Sequence, residues 1–336
     1  MAKRKLSQRQ IERIRAIQER RRAKLETRTQ TALEDQDDAE AKEGLVVARH
    51  GAYLAVVDEQ ERIHHCLSRQ NIGHPVCGDR VVWQAAGPDR GVVTALLERH
   101  STLSRPDYSG RDKPLAANLS RLVVVLAPEP EPSDYLLDQY LVAAEQIATE
   151  HNNVQALIAL NKIDLLSGDA EAAFLQRFAH YEAIGYPLIP VSAHREHGLD
   201  ALMDALKGQT GILVGQSGVG KSSLINALLP DLDLQVGRLS HATGLGRHTT
   251  SAATLYRLPS GGSLIDSPGV RSFRLGKLER RELEYGFRDL RPYIGHCRFA
   301  DCRHREEPGC AVREALEQGK IDPRRLDNLL HMAERM

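Results

Sequence analysis

Residues 215–223 have the sequence Gly215-Gln216-Ser217-Gly218-Val219-Gly220-Lys221-Ser222-Ser223. An apolar run at 212–214 precedes this segment and a helical pattern at 224–228 follows it, so the segment connects a strand to a helix. Glycines in such a loop let backbone N–H groups turn toward a phosphate, and the helix N-terminus adds positive potential. The segment therefore predicts a phosphate-binding loop.

Two side chains at the end of this loop have distinct expected roles. The Lys221 ammonium should reach the β- and γ-phosphates of a nucleotide, and the Ser222 hydroxyl should ligate Mg²⁺. A chance match in a surface loop is the alternative interpretation. The strand before the motif and the helix after it favour the phosphate loop.

A second motif, Asn161-Lys162-Ile163-Asp164, ends an apolar strand pattern upstream. The Asp164 carboxylate can accept hydrogen bonds from guanine N1–H and the 2-amino group, and adenine cannot supply this pair of donors. The Lys162 stem should pack over the base. Val191-Ser192-Ala193 ends the next strand pattern and is similar to loops whose backbone amides contact guanine O6. Together the two loops indicate a guanine-binding site.

The third motif is Asp266-Ser267-Pro268-Gly269, which also follows a strand pattern. Asp266 should hold Mg²⁺ through water, and the Gly269 amide should contact the γ-phosphate. Upstream, the stretch 237–250 is rich in glycine and hydroxyl residues, as is typical of a mobile switch. One threonine should close on Mg²⁺ and the γ-phosphate. We favour Thr250 over Thr249, although the sequence leaves the choice open.

Val270 occupies the position where many GTPases carry the glutamine that orients the attacking water. Valine cannot do this, so unaided hydrolysis should be slow unless another residue or a partner completes the site. His248 is the best internal candidate because it adjoins the switch threonines and can hydrogen-bond water. A solvated loop histidine is the alternative.

The order of these motifs is the most informative feature of the chain. An ordinary GTPase has its phosphate loop before its guanine loop, whereas here the guanine motif comes first, the phosphate loop second and the Asp266 motif last. The chain is therefore predicted to contain a circularly permuted GTPase domain. Such a rearrangement is tolerable because domain termini usually lie close together on the surface.

The region before this domain divides into a tail and a barrel. Residues 1–43 form a charged tail in which positions 1–30 carry eleven Lys and Arg against three Glu. This tail is either a solvated arm or an arm that orders on RNA. Residues 44–103 contain five short β-rich runs, as is typical of an OB-like barrel, although other small barrels share the pattern.

The remaining boundaries follow from the alternation of β and α patterns. An α/β P-loop GTPase domain spans 104–276 and begins with a polar linker at 104–118, and a mainly helical zinc-binding domain spans 277–336. The 45 basic residues equal the 45 acidic ones, so nucleic-acid binding must use local patches. Because we find no apolar run of ~18 residues and no hydrophobic leader, we expect a cytoplasmic protein with no membrane association. We also expect a monomer.

A cluster of soft metal ligands lies near the C-terminus: Cys297, Cys302, His304 and Cys310. A Cys₃His set is a closed tetrahedral zinc site with no open position, so one structural Zn²⁺ is expected. Free reduced cysteines are the alternative. His296 is a competing ligand and the acids Glu306 and Glu307 are weaker ones. Three arginines among the ligands would place positive charge near RNA phosphate; they are Arg298, Arg303 and Arg305.

These features resemble one family, the ribosome small-subunit-dependent GTPase A family (RsgA/YjeQ). The matching segments, besides the barrel, are residues 161–164, 215–223, 246–250, 266–269 and 297–310. The resemblance implies a GTP- and GDP-binding hydrolase that acts late in small-subunit maturation and is stimulated by that subunit. It also implies that barrel and zinc domain both contact rRNA.

The short connection after the last motif suggests how nucleotide state controls association and release. Only residues 270–276 separate Gly269 from the zinc-binding domain, so γ-phosphate contact should reposition that domain. Two other function classes stay open at this point. One is a signalling GTPase with a protein target, and the other is an RNA-binding assembly protein in which GTP is only a structural ligand.

Overall fold

The computed structural model describes residues 40–69, 72–106, 112–147, 154–195, 197–243, 253–267 and 278–335. Several predicted residues lie outside these ranges, namely His248, Thr249, Thr250, Gly269, Val270 and residues 1–39 of the tail. The predictions for them are therefore neither confirmed nor contradicted by the fold.

The predicted barrel is present. Its strands are β1 (Ala41–His50), β2 (Tyr53–Val57), β3 (Ile63–Ser68), β4 (Arg80–Ala85) and β5 (Arg90–Leu96). They pair in the order β1-β2-β3-β5-β4, and β4 closes the barrel by pairing with β1. Trp83 fills the interior against Gly91, where a Cβ would lie 2.5 Å from the indole ring. This closed five-stranded barrel confirms the OB-like prediction.

Two boundaries differ from the sequence prediction. The sequence predicts residues 41–43 as part of the tail, but they pair with β4. Their exposed side chains show no apolar alternation, so the pattern does not indicate a strand there. The predicted linker 104–118 contains most of a two-stranded ribbon, β6 (Thr102–Pro106) and β7 (Asp112–Ala117). Asn118 fastens this ribbon to the barrel, since its Nδ2 donates to the Gly78 carbonyl at 2.9 Å.

The central domain is a mostly parallel sheet with helices on both faces. Its strands are β8 (Arg121–Leu126), β9 (Gln155–Leu160), β10 (Leu188–Pro190), β11 (Thr210–Val214), β12 (Thr254–Arg257) and β13 (Ser263–Asp266). They lie in the order β10-β9-β8-β11-β13-β12, and only β12 runs antiparallel to its neighbour β13. Buried apolar clusters on the two faces confirm the α/β prediction.

In the described part of this domain the α-helices are α1 (Asp134–Ile147), α2 (Asp169–Ala183), α3 (Leu199–Leu206), α4 (Lys221–Leu228) and α5 (Leu232–Thr243). Helix α5 packs against β2 and β3 of the barrel, and the Gln235 side chain hydrogen-bonds the Arg257 backbone in both directions. Because α5 extends to Thr243, the first part of the predicted mobile switch, residues 237–243, is helical.

The C-terminal domain is helical, as predicted, with α6 (Arg280–Tyr285), α7 (Ala311–Glu317) and α8 (Pro323–Ala333). A buried ion network fastens it to the central domain. The Arg325 guanidinium, fully buried, pairs with Asp138 of α1 and with Asp289 at 2.6 Å. The Tyr181 hydroxyl donates to Asp138 at 2.9 Å. None of the helices in the described ranges is both long and apolar enough to span a bilayer.

Replacing Arg325 should loosen this attachment. Arg325→Met would leave the buried Asp138 carboxylate without its cation, at a cost of roughly 3–5 kcal/mol in unfolding free energy. The matched control is Arg80→Met, whose ion pair with Glu43 is exposed and should be worth about 0–1 kcal/mol. Urea unfolding of both variants checks the prediction, and equal losses would contradict it.

Candidate nucleotide and metal sites

The predicted nucleotide loops meet at one edge of the central sheet. Strands β8, β9, β10, β11 and β13 are mutually parallel, so their carboxyl ends lie together. The guanine motif follows β9, the Ser192 loop follows β10, the phosphate loop follows β11, and Asp266 ends β13. This edge is where open α/β sheets bind their ligands.

Two glycines of the phosphate loop have no room for a side chain. Gly215 has a φ of 138°, and a Cβ there would lie 2.3 Å from the Val125 carbonyl oxygen. Gly220 has a φ of 91°, and its Cβ would lie 2.3 Å from Nδ2 of Asn161. Only glycine combines this backbone conformation with such close approach.

The polar side chains of the phosphate loop lie at the loop itself or are exposed. The Lys221 ammonium donates to the Gly215 carbonyl at 2.8 Å and to that of Gln216, which places it at the loop rather than in the core. Ser217, Ser222 and Ser223 are exposed, whereas Val219 is buried and anchors the loop. The exposed Ser222 hydroxyl therefore lies at the start of α4, at the same sheet edge as Asp266.

Asn161 connects the base-binding loops to the phosphate loop. Its Nδ2 donates to the Val219 carbonyl at 2.8 Å, and its Oδ1 accepts from the Ala193 amide at 3.4 Å. The residue is 1% exposed, so both ends of its amide are satisfied in a buried position. One side chain thus joins three loops that are far apart in sequence.

Asp164 is oriented by the loop after β10. The buried Ser192 hydroxyl donates to Asp164 Oδ1 at 2.6 Å. This hydrogen bond holds the pKa of Asp164 below its ordinary value, and nearby Arg195 adds to the effect. The carboxylate is therefore kept ionised, as an acceptor for two N–H donors must be. The neighbouring Ile163 is buried.

Lys162 has the left-handed backbone conformation, with a φ of 61°. Its ammonium donates to the Glu129 carbonyl at 2.8 Å, so its stem extends across the site toward the loop after β8. Sequence reasoning missed this loop. It also missed Tyr140, whose buried hydroxyl is hydrogen-bonded to the Gly215 backbone. No local motif marks either position, because both act through contacts made only in the fold.

The four predicted metal ligands come together in the C-terminal domain. Their ligand atoms all lie within 4.8 Å of one another. Nδ1 of His304 is 3.6 Å from Cys297 Sγ, 3.6 Å from Cys302 Sγ and 3.4 Å from Cys310 Sγ. A tetrahedral Zn²⁺ with bonds of about 2.3 Å to sulfur and about 2.0 Å to nitrogen requires S···N separations of about 3.6 Å. The donor set therefore fits zinc.

The alternative ligands are not part of the cluster. His296 is exposed and outside the cluster. The Glu307 carboxylate accepts the Arg303 and Arg305 amides at 2.9 and 2.8 Å, so it closes the loop instead of facing the ligands. Glu284 of α6, which the sequence did not single out, lies 3.4 Å from Nε2 of His304. A carboxylate there orients a ligating imidazole.

Comparison with known proteins agrees with this arrangement. The family model described as RsgA GTPase matches residues 96–276. A relative from Azotobacter vinelandii, "Small ribosomal subunit biogenesis GTPase RsgA", is 47% identical over 99% of this chain and 97% of its own length. A Pseudomonas aeruginosa protein of the same name is 46% identical over the same shares.

Two solved structures are also similar. YjeQ from Thermotoga maritima superposes with a TM-score of 0.68 at 31% identity, covering 87% of this chain and 97% of its own. YloQ, titled a circularly permuted GTPase, gives 0.67 at 30% identity, covering 88% of this chain and 95% of its own. The similarity to YloQ agrees with the permuted motif order predicted from the sequence.

The metal cluster yields a direct prediction. Protein purified without chelator should contain one equivalent of zinc, and Cys310→Ser should lose it and destabilise the C-terminal domain, since zinc affinity contributes to folding. Cys66→Ala is the control, because Cys66 lies inside the barrel. Metal analysis by mass spectrometry measures both. Zinc retained in full by the Cys310 variant, or absent from the wild type, would refute the assignment.

Proposed function

The chain belongs to the RsgA GTPase family, and from this membership we propose that it hydrolyses GTP while bound to the small ribosomal subunit and assists the late maturation of that subunit. Nucleotide state controls its association and release. The observation that carries the proposal is the convergence of four nucleotide loops at one sheet edge, three of which Asn161 joins. The names of the relatives supply the partner.

Each part of the site has a role in this proposal. Asp164 selects guanine, backbone amides of the loop after β10 contact O6, and Lys162 packs over the base. Lys221 neutralises the β- and γ-phosphates. Ser222 and, through water, Asp266 would hold Mg²⁺. Mg²⁺ would stabilise the charge that develops on the phosphate oxygens.

Hydrolysis also requires a positioned water, and we assign this step to the partner complex. The sequence has Val270 where a water-orienting glutamine is common, so the isolated chain should turn over slowly. Thr250 or Thr249 would complete the Mg²⁺ shell, the Gly269 amide would contact the γ-phosphate, and His248 or a group of the subunit would orient the water. Coupling of this kind makes the subunit both the target and the activator.

The partner surface in this proposal is rRNA, contacted by the barrel and by the metal-binding loop of the C-terminal domain. Association should be tight with GTP and weak with GDP, because γ-phosphate contact is expected to reposition the C-terminal domain for binding to the partner. By linkage, the partner should then favour the GTP state. Such a protein works in the cytoplasm, where the subunits are assembled, and it needs no second copy of itself.

Multiple-turnover GTP hydrolysis with and without purified small subunits tests the proposal. We expect at least ~10-fold stimulation by subunits, a modest gain for a completed GTPase site. Lys221→Ala and Ser222→Ala should abolish turnover. Lys207→Ala is the control, since this exposed lysine precedes β11 at the opposite end of the strand.

Pelleting with subunits should show tight association with a non-hydrolysable GTP analogue and weak association with GDP. Turnover without any response to subunits would indicate a different target, as in a signalling GTPase. GTP-dependent subunit binding without turnover would instead indicate an assembly protein in which GTP is only structural. Either result would overturn the proposal.

A further inference from the structure

An aromatic ring projects from the metal-binding knuckle, defined here as residues 297–310. Phe299 lies between the first two thiols and is 43% exposed, whereas Phe178 and Phe287 are fully buried. Single exposed apolar residues are common on protein surfaces. The setting of this ring distinguishes it.

The backbone on both sides of Phe299 is held in place. The Arg298 amide donates to the Gly309 carbonyl at 2.9 Å, and the Cys302 amide donates to the Phe299 carbonyl at 3.3 Å. A Cβ at Gly309 would lie 3.0 Å from Arg298 Cβ, so the two ends of the knuckle loop are in close contact. With both thiols in the ligand cluster, the ring is presented on a rigid loop. Because the loop is already ordered, little of its conformational entropy is lost when a ligand stacks on the ring.

Positive charge lies beside the ring, but acidic side chains on the same loop balance it. The Arg298 guanidinium lies 5.5 Å from the Phe299 ring centre, and Arg303 is exposed beyond Cys302. The exposed acids Asp301 and Glu306 lie on the same loop, so the net charge of the knuckle is small. If the knuckle binds RNA, attraction between its net charge and the phosphates would supply little of the binding free energy. Stacking on the exposed ring would then have to supply more of it.

A second arginine–aromatic pair belongs to the same unit. Helix α6 faces the knuckle through Arg280, which donates to the Arg303 carbonyl at 2.9 Å, and through Glu284 beside His304. The next helical positions, Arg281 and Tyr285, are exposed, with the guanidinium 6.0 Å from the ring centre. Arginine interleaved with exposed aromatic rings is typical of surfaces that bind single-stranded nucleic acid.

We propose that Phe299 stacks on an unpaired base, so that the knuckle binds single-stranded RNA in preference to duplex RNA. The inference rests on the proposed function for its RNA partner and specifies which form of RNA is bound. In an A-form duplex the base faces are already stacked on one another and a side-chain ring cannot reach them. A protein partner fits less well, because one ring flanked by Arg298, Ala300 and Asp301 does not provide the ~800 Å² per partner of a stable interface.

The test uses the full chain and two fluorescent RNAs of one sequence, a single strand of about twelve nucleotides and a hairpin that pairs it. Phe299→Ala should bind the single strand roughly tenfold more weakly and the hairpin unchanged, since one stacked base contributes about that factor. Phe299→Trp should restore affinity. Leu234→Ala, at an exposed leucine of α5, should bind both RNAs like the wild type.

Phe299→Trp also gives a signal specific to stacking. The chain's own tryptophan, Trp83, is buried in the barrel at 2% exposure, so quenching of the new indole by the single strand stands out against the wild-type spectrum. Zinc content of one equivalent in each variant shows that the knuckle is intact. If Phe299→Ala loses zinc, the indole quenching and the affinity of the tryptophan variant decide the question.

Several results would overturn the inference. They are undiminished single-strand affinity in Phe299→Ala, an equal loss for the hairpin, no indole quenching, or no RNA binding by the wild type. Loss of subunit binding with both RNA affinities unchanged would place the ring against a protein instead. Failure of subunits to stimulate wild-type turnover defeats the proposed function, whereas normal stimulation with unchanged RNA affinity in Phe299→Ala defeats only this inference.

Discussion

The buried amide of Asn161 holds the nucleotide site together. It donates to the Val219 carbonyl of the phosphate loop and accepts from the Ala193 amide of the guanine side, and it is 1% exposed. An unpaired buried amide costs about 1–3 kcal/mol, so the three loops are stabilised as a set. Gly220 must lack a side chain, because a Cβ there would collide with this amide.

This contact explains why a permuted chain can keep the geometry of a GTPase site. Asn161 and Val219 are 58 residues apart, with the base loop upstream of the phosphate loop. Permutation changes which loops the backbone connects, but it leaves a side-chain hydrogen bond between two loops unchanged. The relative position of these loops is therefore set by the amide and the parallel strands, and not by chain order.

Helix α1 provides a physical link between the nucleotide site and the C-terminal domain. Tyr140 is hydrogen-bonded to the Gly215 backbone, and Asp138, two residues earlier, pairs with the buried Arg325. The sequence indicated only the covalent route through residues 270–276. A packed route through α1 exists beside it, so movement of the phosphate loop has a direct path to the domain that carries the knuckle.

Much of the fold could be predicted from local pattern. The helical pattern predicted at 224–228 lies within α4, and each of the five β-rich runs predicted in 44–103 is present as a strand. The charged strand start at 41–43 and the ribbon in 104–118 were missed because neither has an apolar alternation. Arg325 and Glu284 were missed for a different reason. An arginine is expected at the surface, and a carboxylate twenty residues before its histidine has no spacing signal, so only the fold shows their partners.

The most direct test of the central role of Asn161 is the affinity of Asn161→Ala for GTP and for inosine triphosphate, which lacks the 2-amino group. If Asn161 acts by holding the phosphate loop, both affinities should fall by about tenfold, the effect of a lost buried hydrogen bond, and their ratio should match the wild type. Asp164→Asn, which changes the base-reading carboxylate itself, should instead change the ratio. A loss confined to GTP in Asn161→Ala, or unchanged affinity for both nucleotides, would contradict the account.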